Sequence, residues 1–469
     1  MKTTILKNKR FEASDLRLDA SYHLSETKQI ELKFSNSPYA FTSIKEQAKD
    51  VFSGNIFKRV FVSNPKNGVP YVTGSDMIKS DISSGKFISK KQADGLSKLM
   101  LKKGWILVSC SGTLGNTVYT NDLYEGKMGT QDLIRIVPNN KEVLSGFLYA
   151  YLSSKYGYTL LTQSSYGGVI KHIMPYQIEN IPVPIFPPEK QEEINNLIEE
   201  AADLRVEANR LLEEAKSKLK NSTNLPDLTV ENYDYFGPRS GRNLNCFFKS
   251  NKMIDTTTIN AFNHSQRISD TIKKVKSSNS CVLLEEVLDN RKLFSTGSFP
   301  RIEVKKGIKL INQSDIFDII IRGKNISRRK VDLDNLTEYG EILIAGVGTL
   351  GENETFCRVV YVNEELMSQL VSGEFIRMNT NEKFLSGYLF TWLSTDYGFR
   401  FLRSTQTGTK LCRPIQKLLL KIPVPVLEKE IMIDIHEKVV RAHTLRFQAN
   451  SKENKAIHLI EKEIDSWQQ

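Results

Sequence analysis

One short constellation in this chain could do chemistry on nucleic acid. Asp289 followed by Glu303-Val304-Lys305 loosely matches a Mg²⁺-dependent nuclease, in which an acid precedes Glu-x-Lys on a strand. So short a pattern often arises by chance, and Glu303 lies inside a strongly basic stretch. We therefore favour a binding surface over a nuclease site, and keep the nuclease as the alternative.

The basic stretch runs from Arg301 to Lys330 in a chain with a formal net charge of +11. Clustered Lys and Arg side chains are typical of surfaces that neutralise phosphates. A solvated basic face without a partner is the alternative interpretation. The residues predicted to contact DNA here are Arg301, Lys305, Lys309, Arg322, Lys324, Arg328, Arg329 and Lys330.

The sequence lacks the residues that other classes of enzyme need. The sequence has neither the glycine-rich loop of an adenosylmethionine-dependent methyltransferase nor its Asn/Asp-Pro-Pro-Tyr/Phe motif. Cysteines at 110, 246, 281, 357 and 412 are too dispersed for a zinc site or a disulfide framework, and we expect reduced, half-buried thiols. His436 and His443 are interpreted as solvated. Without a long apolar run or a signal peptide, we expect a cytoplasmic protein that does not contact a membrane.

The chain repeats itself once. Four phrases occur twice in the same order: Gly-x-Ile-Leu, Gly-Thr-Leu-Gly, Leu-Ser-x-x-Tyr-Gly and Ile-Pro-Val-Pro. They lie at 104–107, 112–115, 152–157 and 181–184, and again at 340–343, 348–351, 393–398 and 422–425. A repeat of this length indicates a duplicated domain rather than a solenoid. The copies differ between 83–100 and 319–339, which favours two different recognition surfaces over neutral drift in exposed loops.

Each copy is predicted to be a mixed α and β domain. Gly104–Ser109 and Leu133–Val137 have the apolar, β-branched composition of strands, and Phe147–Leu152 is predicted to form a short helix. The glycines of Gly112–Gly115 are expected to permit a tight turn with positive φ. No Lys-Ser/Thr follows them, so this turn is not a nucleotide P-loop.

A long helix is predicted after each Ile-Pro-Val-Pro phrase. Apolar residues alternate at spacings of three and four, which is the heptad seam of a coiled coil. We expect the two helices to pair with each other, although packing on a domain core would also produce an amphipathic helix. Two domains held about one DNA turn apart would read a split target. The predicted seam residues are Ile194, Leu197, Ala201, Leu204, Ala208, Leu211, Ile435, Val439, Ala442, Leu445, Ala449 and Ile460.

Together these phrases resemble the specificity subunit of a type I restriction-modification system, over essentially the whole chain. The resemblance rests on Arg17–Tyr22, on the duplicated phrases, and on Pro-Pro-Glu-Lys-Gln-Glu-Glu-Ile after the first Ile-Pro-Val-Pro. Two places depart from the family pattern. The second helix opens at Val426–Glu430 without the double proline or the glutamine, and Thr257–Ala261 keeps only part of the Leu-Asp-Ala phrase.

The resemblance implies an α+β protein with two target-recognition domains that each read half of a bipartite DNA sequence. The long helices would form an antiparallel coiled coil, giving boundaries at 1–186, 187–222, 223–250, 251–426 and 427–469. Two DNA adenine methyltransferase subunits would bind this scaffold, and restriction subunits could join them. Adenosylmethionine, Mg²⁺ and ATP are expected in those partners and no cofactor in this chain. The alternative is a related or orphan system with a fused methyltransferase–nuclease partner.

Position within the family pattern also implies which segments lie near DNA. They are the loops Ser109–Gly115 and Gly346–Gly351 and the segments Gln163–Lys171 and Gln406–Arg413. The residues predicted to contact DNA there are Ser109, Ser111, Thr113, Gln163, Ser164, Ser165, Tyr166, Lys171, Thr349, Gln406, Thr407, Thr409, Lys410 and Arg413.

Overall fold

The structure is a computed structural model that describes residues 25–82, 85–163, 172–229 and 248–467. The chain divides into two compact units: unit 1 is Met1–Val206 with Gln448–Gln469, and unit 2 is Glu207–Phe447. The opening phrase at 17–22, the predicted site residues Ser164, Ser165, Tyr166 and Lys171, and Cys246 lie outside the described residues.

Unit 1 is built around a four-stranded antiparallel sheet of order β2-β8-β5-β6. A second sheet has the order β4-β3-β7, and β1 pairs with β9. The strands are β1 Phe41–Ser43, β2 Ala48–Phe52, β3 Gly68–Val72, β4 Phe87–Ser89, β5 Ile106–Ser109, β6 Thr117–Tyr119, β7 Met128–Gly129, β8 Leu133–Pro138 and β9 Pro182–Pro184. The helices before the first long one are α1 Glu26–Phe34, α2 Ile44–Gln47, α3 Lys90–Gly95, α4 Ser145–Ser153, α5 Lys155–Gln163 and α6 Pro175–Glu179.

Unit 2 repeats this arrangement with sheets of order β14-β13-β16 and β12-β11-β15, and with β10 paired to β19. A short hairpin of β17 and β18 is added. Its strands are β10 Cys281–Leu283, β11 Glu303–Ile311, β12 Lys324–Ile326, β13 Ile342–Ala345, β14 Val359–Tyr361, β15 Leu370–Val371, β16 Phe375–Met378, β17 Gln406–Thr407, β18 Arg413–Pro414 and β19 Pro423–Pro425. Its short helices are α8 Gln266–Ser278, α9 Leu284–Val287, α10 Ser386–Ser394, α11 Asp396–Ser404 and α12 Gln416–Leu419.

The repeated phrases occupy equivalent places in the two units. Gly-x-Ile-Leu leads into the strands β5 and β13, which are buried along their whole length. The glycine of Leu-Ser-x-x-Tyr-Gly is required by packing, because a Cβ at Gly157 would lie 2.2 Å from the carbonyl oxygen of Tyr151. A Cβ at Gly398 would lie equally close to that of Trp392. The predicted α+β class and duplicated domain are confirmed.

The two long helices are α7 Pro188–Thr223 and α13 Lys429–Asp465. In unit 1 the start of α7 meets the end of α13, with Lys190 Nζ 2.7 Å from Glu463 Oε2. In unit 2 the end of α7 meets the start of α13, with Lys218 Nζ 2.7 Å from Asp434 Oδ2. The helices are therefore antiparallel. The two predicted long helices are confirmed. All the predicted seam residues are buried except Leu197 and Leu204, which are half-buried.

Two predictions about side chains in unit 2 are wrong. His443 is buried and stacks on Tyr361 with ring centroids 5.0 Å apart, and His436 is half-buried. These two histidines face their own domain, which helix periodicity alone could not reveal. Of the described thiols, which are all free, Cys281 is half-buried as predicted, whereas Cys110, Cys357 and Cys412 are buried.

Candidate nucleic-acid interface

The first predicted loop of unit 1, Ser109–Gly115, is held by its own first residue. Ser109 Oγ donates to the carbonyl of Thr113 at 2.6 Å and accepts from the main-chain N–H of Asn116 at 3.0 Å. Gly112 and Gly115 adopt φ of 75° and 77°, as the sequence predicts. Because Ser109 is buried and its hydroxyl is occupied by the loop, its predicted contact with DNA is wrong and Ser109 is a positioning residue.

This loop meets the residues that follow the second predicted segment of unit 1. Ser111 forms an isolated antiparallel bridge with His172, and the main-chain N–H of Ile173 donates to the carbonyl of Cys110 at 3.0 Å. Gln163 is exposed at the end of α5, where this segment begins. The described residues on either side of 164–171, Gln163 and His172, therefore belong to the same domain as the loop.

Unit 2 joins its two predicted loops directly. Gly348 and Cys412 exchange two main-chain hydrogen bonds, of 3.2 Å from the Gly348 N–H and 2.7 Å from the Cys412 N–H. The hairpin β17–β18 pairs Thr407 with Arg413 and presents the residues between them at its tip. Gly408 has φ of 100°, which glycine adopts without strain. The loop 346–351 and the hairpin 406–413 thus form one surface.

Three residues that the sequence analysis missed hold this surface in place. Arg403 is fully buried, and its guanidinium donates to the carbonyls of Leu350 and Gly351 at 3.1 and 2.9 Å. Burial lowers its pKa to about 10. Gln313 bonds to both main-chain groups of Val347, and Asn263 Nδ2 donates to the carbonyls of Ser404 and Gln406 at 2.7 and 3.0 Å. Arg400 and Arg403 lie three residues apart among aromatic and apolar residues of α11, and this was the available signal for Arg403.

The predicted site residues fall into exposed and buried groups. Gln406 is buried, so its predicted DNA contact is wrong, because β17 turns this side chain inward. Thr113 in unit 1 is exposed and Ser111 is half-buried. In unit 2 the exposed predicted residues of the joined surface are Thr349, Thr407, Thr409, Lys410 and Arg413. These side chains offer hydroxyl, ammonium and guanidinium donors that suit phosphates and base edges.

The basic stretch surrounds the strands β11 and β12 of the same unit. Lys309 is half-buried and donates to the carbonyl of Ile321 at 3.3 Å, so part of its charge is used within the fold. Lys324 pairs with Glu303. The exposed members of the predicted set are Arg301, Lys305, Arg322, Lys324, Arg328, Arg329 and Lys330.

The residues of the alternative nuclease site pair with cations. Asp289 lies 3.2 Å from Arg291, and Glu303 pairs with Lys324. In the part of the chain that the structure describes, no three His, Cys, Asp or Glu side chains come together in a group that could hold a metal ion. Burial raises the pKa of the Cys110 thiol to about 11 and also raises that of Cys412, which disfavours a reactive thiolate.

None of the helices in the described ranges is long and apolar enough to cross a membrane.

Comparison with known proteins adds a family match. Residues 42–217 match the family model described as "Type I restriction modification DNA specificity domain". None of the curated proteins matches the chain.

Among solved structures, the chain is similar to the S subunit of a type I restriction-modification system from M. genitalium. Their identity is 14%, the match covers 92% of this chain and 97% of that one, and the TM-score is 0.38. It is also similar to the HsdS subunit from Thermoanaerobacter tengcongensis, with 14% identity, coverage of 92% and 98%, and a TM-score of 0.29.

Proposed function

We propose that the chain is a specificity subunit of a type I restriction-modification system and that it reads a bipartite DNA target, because residues 42–217 match the DNA specificity domain of these systems. Each of the two domains, 1–186 and 251–426, recognises one half-site of double-stranded DNA, and the bases between the half-sites are not read. The chain itself is not an enzyme in this proposal, and catalysis belongs to partner subunits.

The observation that carries the proposal is the duplicated anchoring of the predicted loops. Ser111 pairs with His172 in unit 1, and Gly348, one residue further along the repeated phrase, pairs with Cys412 in unit 2. A scaffold that holds the same pair of loops twice, with different side chains on each, suits two related tasks with different specificities. Fixed loops also favour recognition, since a preorganised surface loses less entropy on binding.

The coiled coil is the natural ruler for the spacer between half-sites. Buried apolar residues and cross-helix polar pairs hold α7 and α13 in one antiparallel register. In unit 1, Arg205 donates to Oδ1 of Asn450 at 2.9 Å. In unit 2, the equivalent Arg446 donates to Oδ1 of Asn209 at 2.5 Å. A single register fixes how far apart the ends of the helices lie, and so supports a fixed spacer.

We propose two DNA adenine methyltransferase subunits as the partners, with restriction subunits able to join them. Adenosylmethionine would supply the methyl group in the methyltransferase subunits, and Mg²⁺ and ATP would serve the restriction subunits. This chain would bind no cofactor of its own. Its contribution would be to place a half-site adenine beside each methyltransferase.

The test compares the purified chain alone, the methyltransferase encoded beside it alone, and the two together. The proposal expects DNA binding by the chain, and adenine methylation only by the combination. Methylation or Mg²⁺-dependent cleavage by the chain alone would contradict it. Glu303→Ala serves as the control for the nuclease alternative, because the proposal expects this variant to retain DNA binding and to support methylation by the combination.

A further inference from the structure

We propose that each unit carries a second DNA contact, an apolar ridge flanked by cations that lies in a groove of the duplex. In unit 1 the ridge consists of Val60 and Phe61, and in unit 2 of Ile302 and Val304. The inference rests on the proposed function, because it assumes that the partner is double-stranded DNA, and it adds a surface outside the two loop pairs.

The ridge of unit 2 is the exposed beginning of β11. Ile302 is 55% exposed and Val304 is 36% exposed, and every residue from 301 to 307 is exposed. The main-chain N–H of Ser327 donates to the carbonyl of Ile302 at 2.8 Å, which holds this segment against the end of β12. The register of β11 on β12 shifts between Glu303 and Ile308, so the residues between them bulge from the sheet.

The ridge of unit 1 has the same main-chain connection. The N–H of Ser89, at the end of β4, donates to the carbonyl of Val60 at 2.9 Å, as Ser327 does to Ile302. Val60 is 49% exposed and Phe61 is 50% exposed. An arginine precedes the apolar residue in both copies, Arg59 before Val60 and Arg301 before Ile302.

Val60 and Ile302 occupy the same place in a local repeat, Phe-x-Arg-Val/Ile-x-Val at 57–62 and 299–304. Single exposed apolar residues are common on protein surfaces and need no explanation. Here Val60 and Ile302 both stay exposed at this place, and each has a second exposed apolar residue beside it, Phe61 and Val304. Because exposure of large apolar side chains to water is unfavourable, its presence in both copies indicates that a partner covers these side chains.

The charges around the ridge indicate which partner that is. Arg301, Lys305, Lys306, Arg328 and Arg329 are exposed around the second ridge, and in the described ranges none of them has an ion-pair partner. Lys58, Lys90 and Lys91 are exposed around the first. Apolar side chains between unpaired cations fit a DNA groove, where the cations reach phosphates on both sides and the apolar groups contact bases and sugars. An apolar protein interface would instead exclude unpaired charge from its centre.

The experiment measures binding of the chain with its methyltransferase to a duplex that carries the mapped methylation motif, over a range of salt concentrations. Ile302→Ala and Val60→Ala are each expected to weaken binding about tenfold with an unchanged salt dependence, since an apolar contact releases no counterions. Arg301→Ala with Lys305→Ala is expected to lower the slope of log affinity against log salt by about one to two.

Leu333→Ala is the matched control, because Leu333 is 69% exposed in the same unit but lies between Asp332 and Asp334. The ridge proposal expects this variant to bind DNA as the wild type does. Equal affinities for Ile302→Ala, Val60→Ala and Leu333→Ala would overturn it. Variants that no longer bind the methyltransferase but keep their DNA affinity would also overturn it, because the ridge would then be a protein interface. A wild-type complex that does not bind the duplex would instead refute the proposed function itself.

Discussion

The main-chain N–H of Gly387 donates a hydrogen bond of 3.0 Å to Nδ1 of His436 on α13. At the equivalent place in unit 1, the N–H of Gly146 donates to Oδ1 of Asn195 on α7 at 2.9 Å. A Cβ on either glycine would lie 2.8 Å from its acceptor atom, so glycine is required at both positions. The two units thus dock on the long helices in the same way, but only unit 2 uses an acceptor that protonation destroys.

We therefore predict that acid destabilises unit 2 before unit 1. Burial lowers the pKa of His436 and drives that of His443 well below its usual value. The unfolded chain takes up protons on these imidazoles below about pH 6.5, while the folded chain does not, so stability falls as the pH falls. His436→Asn with His443→Phe keeps the acceptor and the ring stacking, and should flatten thermal unfolding midpoints between about pH 7.5 and 5.5.

The control for this prediction is His458→Gln, because His458 lies on the same helix and is exposed. It should leave the pH dependence as in the wild type. If the double variant loses as much stability in acid as the wild type does, the buried histidines are not the cause.

A second prediction concerns two buried arginines at equivalent strand positions. Arg377 in β16 bonds to Glu341 at 2.6 and 3.0 Å, and both side chains are fully buried. Arg135 in β8 has main-chain carbonyls as its acceptors, among them those of Leu133 and Gly129, each at 2.8 Å, and burial lowers its pKa to about 10. Glu341→Gln leaves a buried guanidinium without its counter-charge, and should cost about 3–5 kcal/mol of unfolding free energy.

The matched control is Glu338→Gln, three residues away in the sequence. Glu338 pairs with Arg291 at 2.8 Å, but its side chain is 53% exposed. Its loss should cost at most about 1 kcal/mol in the same denaturant titration. Equal costs for the two variants would show that the Arg377–Glu341 pair is not an important source of stability.

These arginines also show which features of the fold could be predicted from the sequence alone and which could not. The coiled-coil seam was predictable because its period repeats over many residues, and the loops because their phrases occur twice. The burial of Arg135, Arg377 and Arg403 depends on carbonyls supplied by distant segments, which no local pattern reveals. An arginine inside an apolar run such as Leu133–Val137 was the one visible signal. Ser109 and Gln406 lie in the segments predicted to face DNA, but their side chains turn inward.

A third prediction tests the basic stretch. Arg328, Arg329 and Lys330 are exposed at the end of the β11–β12 region. Replacing all three by Ala should weaken binding to every DNA sequence and lower the salt slope by about one unit for each lost phosphate contact. Fluorescence anisotropy at several salt concentrations measures this. An unchanged slope would remove these residues from the interface.

A fourth prediction separates the two half-sites. Lys410 and Arg413 are exposed on the β17–β18 hairpin, which is bonded to the Gly346–Gly351 loop of unit 2. Lys410→Ala with Arg413→Ala should relax recognition of one half-site and leave the other unchanged. A single lost base contact costs about 1–3 kcal/mol of discrimination. Competition with duplexes altered in one half at a time measures it, and equal loss in both halves would contradict the assignment.

A fifth prediction concerns the coiled coil as the element that sets the length of the spacer between the half-sites. Four helical residues inserted after Leu204, with four matching residues inserted in α13 after Asn450, lengthen the pair by about 6 Å. The preferred spacer should increase while both half-sites stay the same. The insertion in α7 alone is the control, and should damage stability because it breaks the register of the Arg205–Asn450 pair. An unchanged spacer in the matched variant would mean that the coiled coil does not set it.

The most direct test of the central claim is a map of methylated adenines in DNA from cells that express this chain with its methyltransferase. We predict a split motif, with two short specific blocks, a spacer of fixed length, and methylation on both strands. A continuous motif would contradict two readers on one scaffold. No new methylation, with a methyltransferase that is active beside another specificity subunit, would contradict the proposed function.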